Sequence, residues 1–106
     1  MDEFVHYVYR ATKSFPKEEL YGVTSQLRRA AMSVVLNYIE GYARRNKSKV
    51  HINFLEISYG SLKESKYLLH FSLVETYLKE RDYKEIIKLA DEIGAMLWGT
   101  IKNIGK

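Results

Sequence analysis

Cysteine is absent from this 106-residue sequence and proline occurs once, at Pro16. Without thiols there is no disulfide frame and no thiolate metal site, and the setting expected is a reducing, cytoplasmic one. No apolar run reaches the length a membrane span needs, so no membrane partner is expected. The first residues, MDEFVHYVYR, lead with acids and lack a small-residue cleavage site, so they do not read as a signal peptide. Metal-site spacing is missing as well: His6, His51 and His70 stand far apart, with no His-x-x-x-His or Glu-x-x-His pair. There is no Gly-x-Ser-x-Gly elbow around Ser25, Ser33 or Ser61, and no Gly-x-x-x-x-Gly-Lys phosphate loop. No catalytic residue, cofactor or small-molecule substrate can be named, and the expected protein is not an enzyme.

Acidic residues are missing from one window in particular. Between Glu40 and Glu56 there is no Asp or Glu, while Arg44, Arg45, Lys47 and Lys49 fall inside it. The formal charge is 17 − 13 = +4, so those four cations account for all of it and the rest of the chain is balanced. A cationic patch confined to one segment is a more specific clue than a high isoelectric point.

What is abundant is amphipathic helix. With 46% hydrophobic and 28% charged residues, the composition is that of an ordinary folded chain, long enough for one core and one domain spanning residues 1–106. Phe4, Val8, Ala11 and Phe15 recur in steps of three and four from Asp2 to about Ser14, a first helix that the Phe15-Pro16 pair should end. A second is expected from about Val23 to Ala43, with a stripe of Leu27, Ala30, Ala31, Val34, Tyr38, Ile39 and Tyr42. Gly41 near its end predicts fraying or a bend, and Asn46 suits a left-handed turn residue. Ser48 is placed to cap a third helix from Lys49 to about Val74, about 40 Å long at ~1.5 Å per residue.

That third helix carries two apolar stripes: Leu55, Ser58, Tyr59, Leu62, Leu69 and Leu73 on one side, Val50, Phe54, Ile57, Leu68 and Phe71 on another. Two stripes are one wide core face or a core face plus a subunit interface. A fourth helix follows the polar break at 75–81, from about Asp82 to Asn103, with Ile86, Ala90, Ile93, Leu97, Ile101 and Ile104 in register. The fold class expected is all-α, an antiparallel up-and-down four-helix bundle. Nine tyrosines again suit subunit contacts, where a ring is buried and its hydroxyl stays wet, although an aromatic-rich core is the alternative.

Polar residues in these helices have readings of their own. Glu40 and Arg44, one turn apart, are expected to pair. Of Arg28 and Arg29, one should reach solvent and the other fork onto a carboxylate. Asn37, among apolar neighbours, should find a nearby backbone partner. Glu40, Glu56 and Glu64 are spaced so that they could meet inside a bundle. The candidate binding site is the turn Tyr42-Ala43-Arg44-Arg45-Asn46-Lys47-Ser48-Lys49. Its cations neutralise phosphates, Tyr42 offers a ring on which a base stacks, and the start of the third helix attracts anions.

The runs TKSFP (12–16) and YGVTSQLRRAA (21–31), then Asn37, Glu40-Gly41-Tyr42 and Arg44, Gly60-Ser61-Leu62 with Glu64, and Glu92-Ile93-Gly94 with Met96-Leu97, closely resemble the bacterial four-helix-bundle proteins encoded in intervening sequences of 23S ribosomal RNA genes. The resemblance covers nearly the whole chain. It implies a bundle that assembles into a ring-like homopentamer with no established enzymatic activity. It also implies kinship in fold with accessory proteins of diversity-generating retroelements, which work with RNA. The binding expected on that ground is to RNA or DNA; the alternative is a scaffold for a protein partner. The chain departs from the family pattern in three places. It starts partway into the family's first helix, Val35 stands where Pro is common, and Glu75-Thr76 replaces a frequent Leu-Gly pair.

Overall fold

The computed structural model describes residues 1–105. Its helices are α1 (Asp2–Thr12), α2 (Ser25–Ala43), α3 (Ser48–Val74) and α4 (Glu80–Ile104), and no strand occurs among the described residues. The body measures 44 × 24 × 18 Å, and its long dimension follows α3. Each helix packs on its sequence neighbour, α4 closes back on α1, and α2 with α3 forms the most extensive pairing.

α1 ends where Pro16 ends it: Thr12 turns its hydroxyl back to the Val8 carbonyl at 2.8 Å, and the chain leaves as extended backbone. The connector to α2 is one short turn, Lys17–Glu19, and one wide turn, Leu20–Thr24, in which Gly22 leaves helical geometry (φ −111°, ψ −116°). Glu19 holds this connector against the one at 75–79. Its carboxylate accepts from the Val23 amide at 3.3 Å and from the Tyr77 hydroxyl at 2.9 Å. That bond, acting on the neutral phenol, raises the Tyr77 pKa.

The core is drawn from Phe4 and Val8 of α1, Leu27, Ala31 and Val34 of α2, and Ile86, Ala90 and Leu97 of α4, buried in one cluster with Leu55, Leu62 and Leu69 of α3. On α3 the buried positions are His51, Leu55, Ser58, Leu62, Ser65, Leu69 and Ser72. They alternate in steps of four and three, the seam of a coiled coil. Ser65 and Ser72 were not expected in the core, since serine reads as polar in a hydropathy pattern; Tyr59 and Leu73 were, and they are only half-buried. The small serines let neighbours approach, and each hydroxyl is used. Ser58 donates to the Val34 carbonyl of α2 at 2.6 Å, Ser65 to Ser61 at 2.9 Å and Ser72 to Leu68 at 2.7 Å.

The second stripe of α3 lies outside this core: Val50, Ile57 and Phe71 are exposed, Phe54 and Leu68 half-buried. On α2 the stripe is apolar and buried only through Val34, while Ile39 and Tyr42 are exposed, contrary to expectation. α1 has only 11 residues, so the last turns of α2 run past the helix that covers its first half. Gly41 is buried, not frayed; a Cβ there would sit 3.2 Å from Phe54 Cβ and 3.3 Å from the His51 carbonyl oxygen. Glycine is what allows α2 and α3 to come this close.

Candidate nucleic-acid interface

The turn 44–47 is built by two helix ends. α2 closes with the Arg44 amide on the Gly41 carbonyl at 3.0 Å, and the Lys47 amide on the Arg44 carbonyl at 3.0 Å reverses the chain. Asn46 is not left-handed; among the described residues the one non-glycine with positive φ is Thr76 (φ 65°), at the end of α3. Ser48 is the first residue of α3 and caps nothing, because Lys47 holds the cap position and no side chain accepts from the first amides. Those amides open to solvent with no acid in the first turn, a local field that favours an anion.

Every residue from Tyr42 to Val50 is exposed. The four cations nonetheless differ. Arg44 folds back: its guanidinium pairs with the Glu40 carboxylate, as expected, reaches the Glu40 carbonyl at 3.2 Å and lies 5.2 Å over the Phe54 ring. Arg45 donates to the Tyr42 carbonyl at 3.0 Å and stacks 4.3 Å over the Tyr42 ring. Tyr42 and Arg45 are therefore joined as a cation–π pair on the surface of the turn. Lys47 and Lys49 make no ion pair among the described residues. The cations of the turn left without a carboxylate partner among the described residues are Arg45, Lys47 and Lys49, beside Tyr42.

Other polar candidates resolve differently. Arg28 finds no carboxylate among the described residues: its Nε donates to Thr12 Oγ1 at 2.8 Å, an Nη to the Tyr9 carbonyl at 3.3 Å, and its guanidinium carbon lies 4.8 Å from the centre of the Tyr9 ring. It fastens α1 to α2, while Arg29 is exposed. Asn37 donates to the Ser33 carbonyl at 2.9 Å, a local backbone partner as expected. Glu40, Glu56 and Glu64 do not meet inside the bundle; all three are exposed, and no cluster of metal-ligating side chains occurs among the described residues. No described helix is long and apolar enough to cross a membrane.

Sequence reasoning missed a groove of about 300 Å³ between α3 and α4, lined by Tyr59, Lys63, Lys66, Gly94 and Trp98. Tyr59, Lys63 and Lys66 share a helix face by spacing alone, but nothing in the sequence says which residues of α4 lie opposite.

The fold and this surface define a class, an all-helical bundle whose local positive charge sits on an interhelical turn. A comparison with curated proteins finds no match. The model of the 23S rRNA-intervening sequence protein family matches residues 1–99, and the chain belongs to that family.

Proposed function

We propose that this protein is a non-enzymatic binding module: an antiparallel up-and-down bundle that assembles as a homo-oligomer, a pentamer on the family resemblance. In this reading it engages RNA or DNA in the cytoplasm through Arg45, Lys47 and Lys49, with Tyr42 as a stacking surface and Arg44 in a supporting place. The observation that carries the reading is the turn itself, where exposed cations adjoin uncapped amides at the start of a 27-residue helix. Pairings such as Val34 with Ser58 and Gly41 with His51 on α2 and α3, and Tyr59 with Trp98 and Lys66 with Asp91 on α3 and α4, run in opposite numerical directions, which supports the antiparallel order. Apolar side chains left in water support self-association: Leu36 is 53%, Ile39 55% and Ile57 44% exposed.

Assembly multiplies the turn. Five copies would bring about 15 unpaired cations together, and each phosphate neutralised releases counterions, with a log–log salt slope of about −0.7 to −0.9 per contact. Affinity for a structured RNA should fall steeply from low to moderate salt. The triple change Arg45→Ser, Lys47→Ser, Lys49→Ser should flatten that response and leave the helical circular dichroism unchanged. A wild-type protein with no affinity at low salt, or with a salt-independent one, would rule the reading out.

A further inference from the structure

The groove between α3 and α4 is unlike the turn, because it offers rings as well as charge. Trp98 is 53% exposed, and its ring lies 6.1 Å from that of Tyr59 at an interplanar angle of 37°. That tilt leaves no slot between the two rings. About half of Trp98 is open to solvent, beside a second aromatic ring. Lys63 places its ammonium 5.2 Å over the Tyr59 ring and makes no ion pair among the described residues. Lys66 is engaged instead, paired with Asp91 at 2.7 Å, and the two line the groove as a polar wall. The floor is Gly94, where a Cβ would lie 3.3 Å from Leu62 Cδ2. A side chain at that position would crowd the groove. Lys102, one turn beyond Trp98 on α4, is exposed.

An exposed indole with an unpaired ammonium beside it is the chemistry that holds an unpaired nucleobase and its phosphate: the ring supplies stacking and the cation charge neutralisation. We propose that this groove is a second nucleic-acid site, one that takes a single unstacked base on Trp98 with the adjoining phosphate on Lys63. It requires single-stranded or looped-out nucleic acid, since a base inside a duplex has no free face. The inference rests on the nucleic-acid reading given above but uses none of the turn residues.

Trp98 is the chain's single tryptophan, so its emission reports this groove alone. A short single-stranded oligo(A), titrated into the whole protein at low salt, should quench that emission saturably. Trp98→Ala should weaken binding of labelled oligo(A), followed by anisotropy, by about 5- to 100-fold, the range that stacking one base provides. Trp98→Phe should recover most of it. Affinity for a fully paired duplex should be the same in all three proteins. The triple turn variant separates the two readings: its oligo(A) affinity drops, yet saturating oligo(A) still quenches Trp98. Oligo(A) that binds without changing Trp98 emission overturns the groove site and leaves the turn intact. An equal loss of duplex and single-strand affinity in Trp98→Ala also overturns it. So does a free protein whose Trp98 is already shielded from acrylamide, because a protein contact then covers the ring.

Discussion

Tyr7 illustrates how a single side chain joins distant parts of the chain. Its hydroxyl donates to Asp82 at 3.0 Å and to Glu85, tying α1 to the first turns of α4. Burial pushes the phenol pKa up, and the two carboxylates add to the shift by bonding to the neutral form and repelling the charged one. Below the ordinary value of 10.0 the phenol is protonated in folded and unfolded chains alike, and its contribution is complete. Above it the unfolded chain releases the proton while the folded chain keeps it, so stability falls as pH rises. Urea unfolding of wild type should lose midpoint concentration on passing pH 10.0, and Tyr7→Phe should be less stable below that pH but lose less above it. A variant whose midpoint falls as steeply as the wild type's would show that Tyr7 carries none of this dependence.

Helix ends and helix crossings set the next scale. α3 stops in a reversed turn: the Thr76 amide bonds Leu73 at 3.0 Å and the Tyr77 amide bonds Ser72 at 2.8 Å, with Thr76 between them at φ 65°. This is a Schellman turn, whose left-handed residue is usually glycine, and a β-branched residue is strained there by about 1–2 kcal/mol. The Glu75-Thr76 departure thus falls on the position where the common Leu-Gly pair would supply the glycine. Thr76→Gly should raise stability by about 1 kcal/mol, read from chemical denaturation. Two other glycines should respond oppositely to alanine. Gly60 has nothing within 4 Å of a Cβ, so Gly60→Ala should gain about 0.5–1 kcal/mol from helix propensity. Gly41→Ala would press on the His51 backbone and should lose about 1 kcal/mol net, since overpacking of about 1–3 kcal/mol outweighs the same gain.

For the whole molecule the issue is what covers α2 and α3 beyond the short α1. Ile57 lies on the outer stripe of α3, one residue ahead of the buried Ser58, and Leu36 and Ile39 are exposed on α2. Sedimentation at micromolar concentration should give an oligomer for wild type and a monomer for Ile57→Glu, with helicity retained in both. A wild type that sediments as a monomer would remove the proposed oligomer and, with it, the proposed gathering of cationic turns from which a large salt response is expected.

Much of this protein is legible in its sequence. Periods of three and four residues placed every helix within a few residues, because burying one face is what makes a helix of this length persist in water. Pro16 marked the end of α1, and the acid-free window isolated the basic turn, since both effects are local to the chain. Tertiary structure decided the rest. Serines 65 and 72 enter the core because their hydroxyls find carbonyls within α3, a satisfaction that hydropathy does not register. Ile39 and Tyr42 face water because α1 is short, and no property of α2 encodes the length of its neighbour. Arg44 turns back to Glu40 while Arg45 lies on Tyr42, so equal charges along the chain become unequal on the surface. Trp98 meets Tyr59 and shares a groove with Lys63 only because α3 and α4 pack in one register, and that register is the joint outcome of the buried contacts rather than of any single segment.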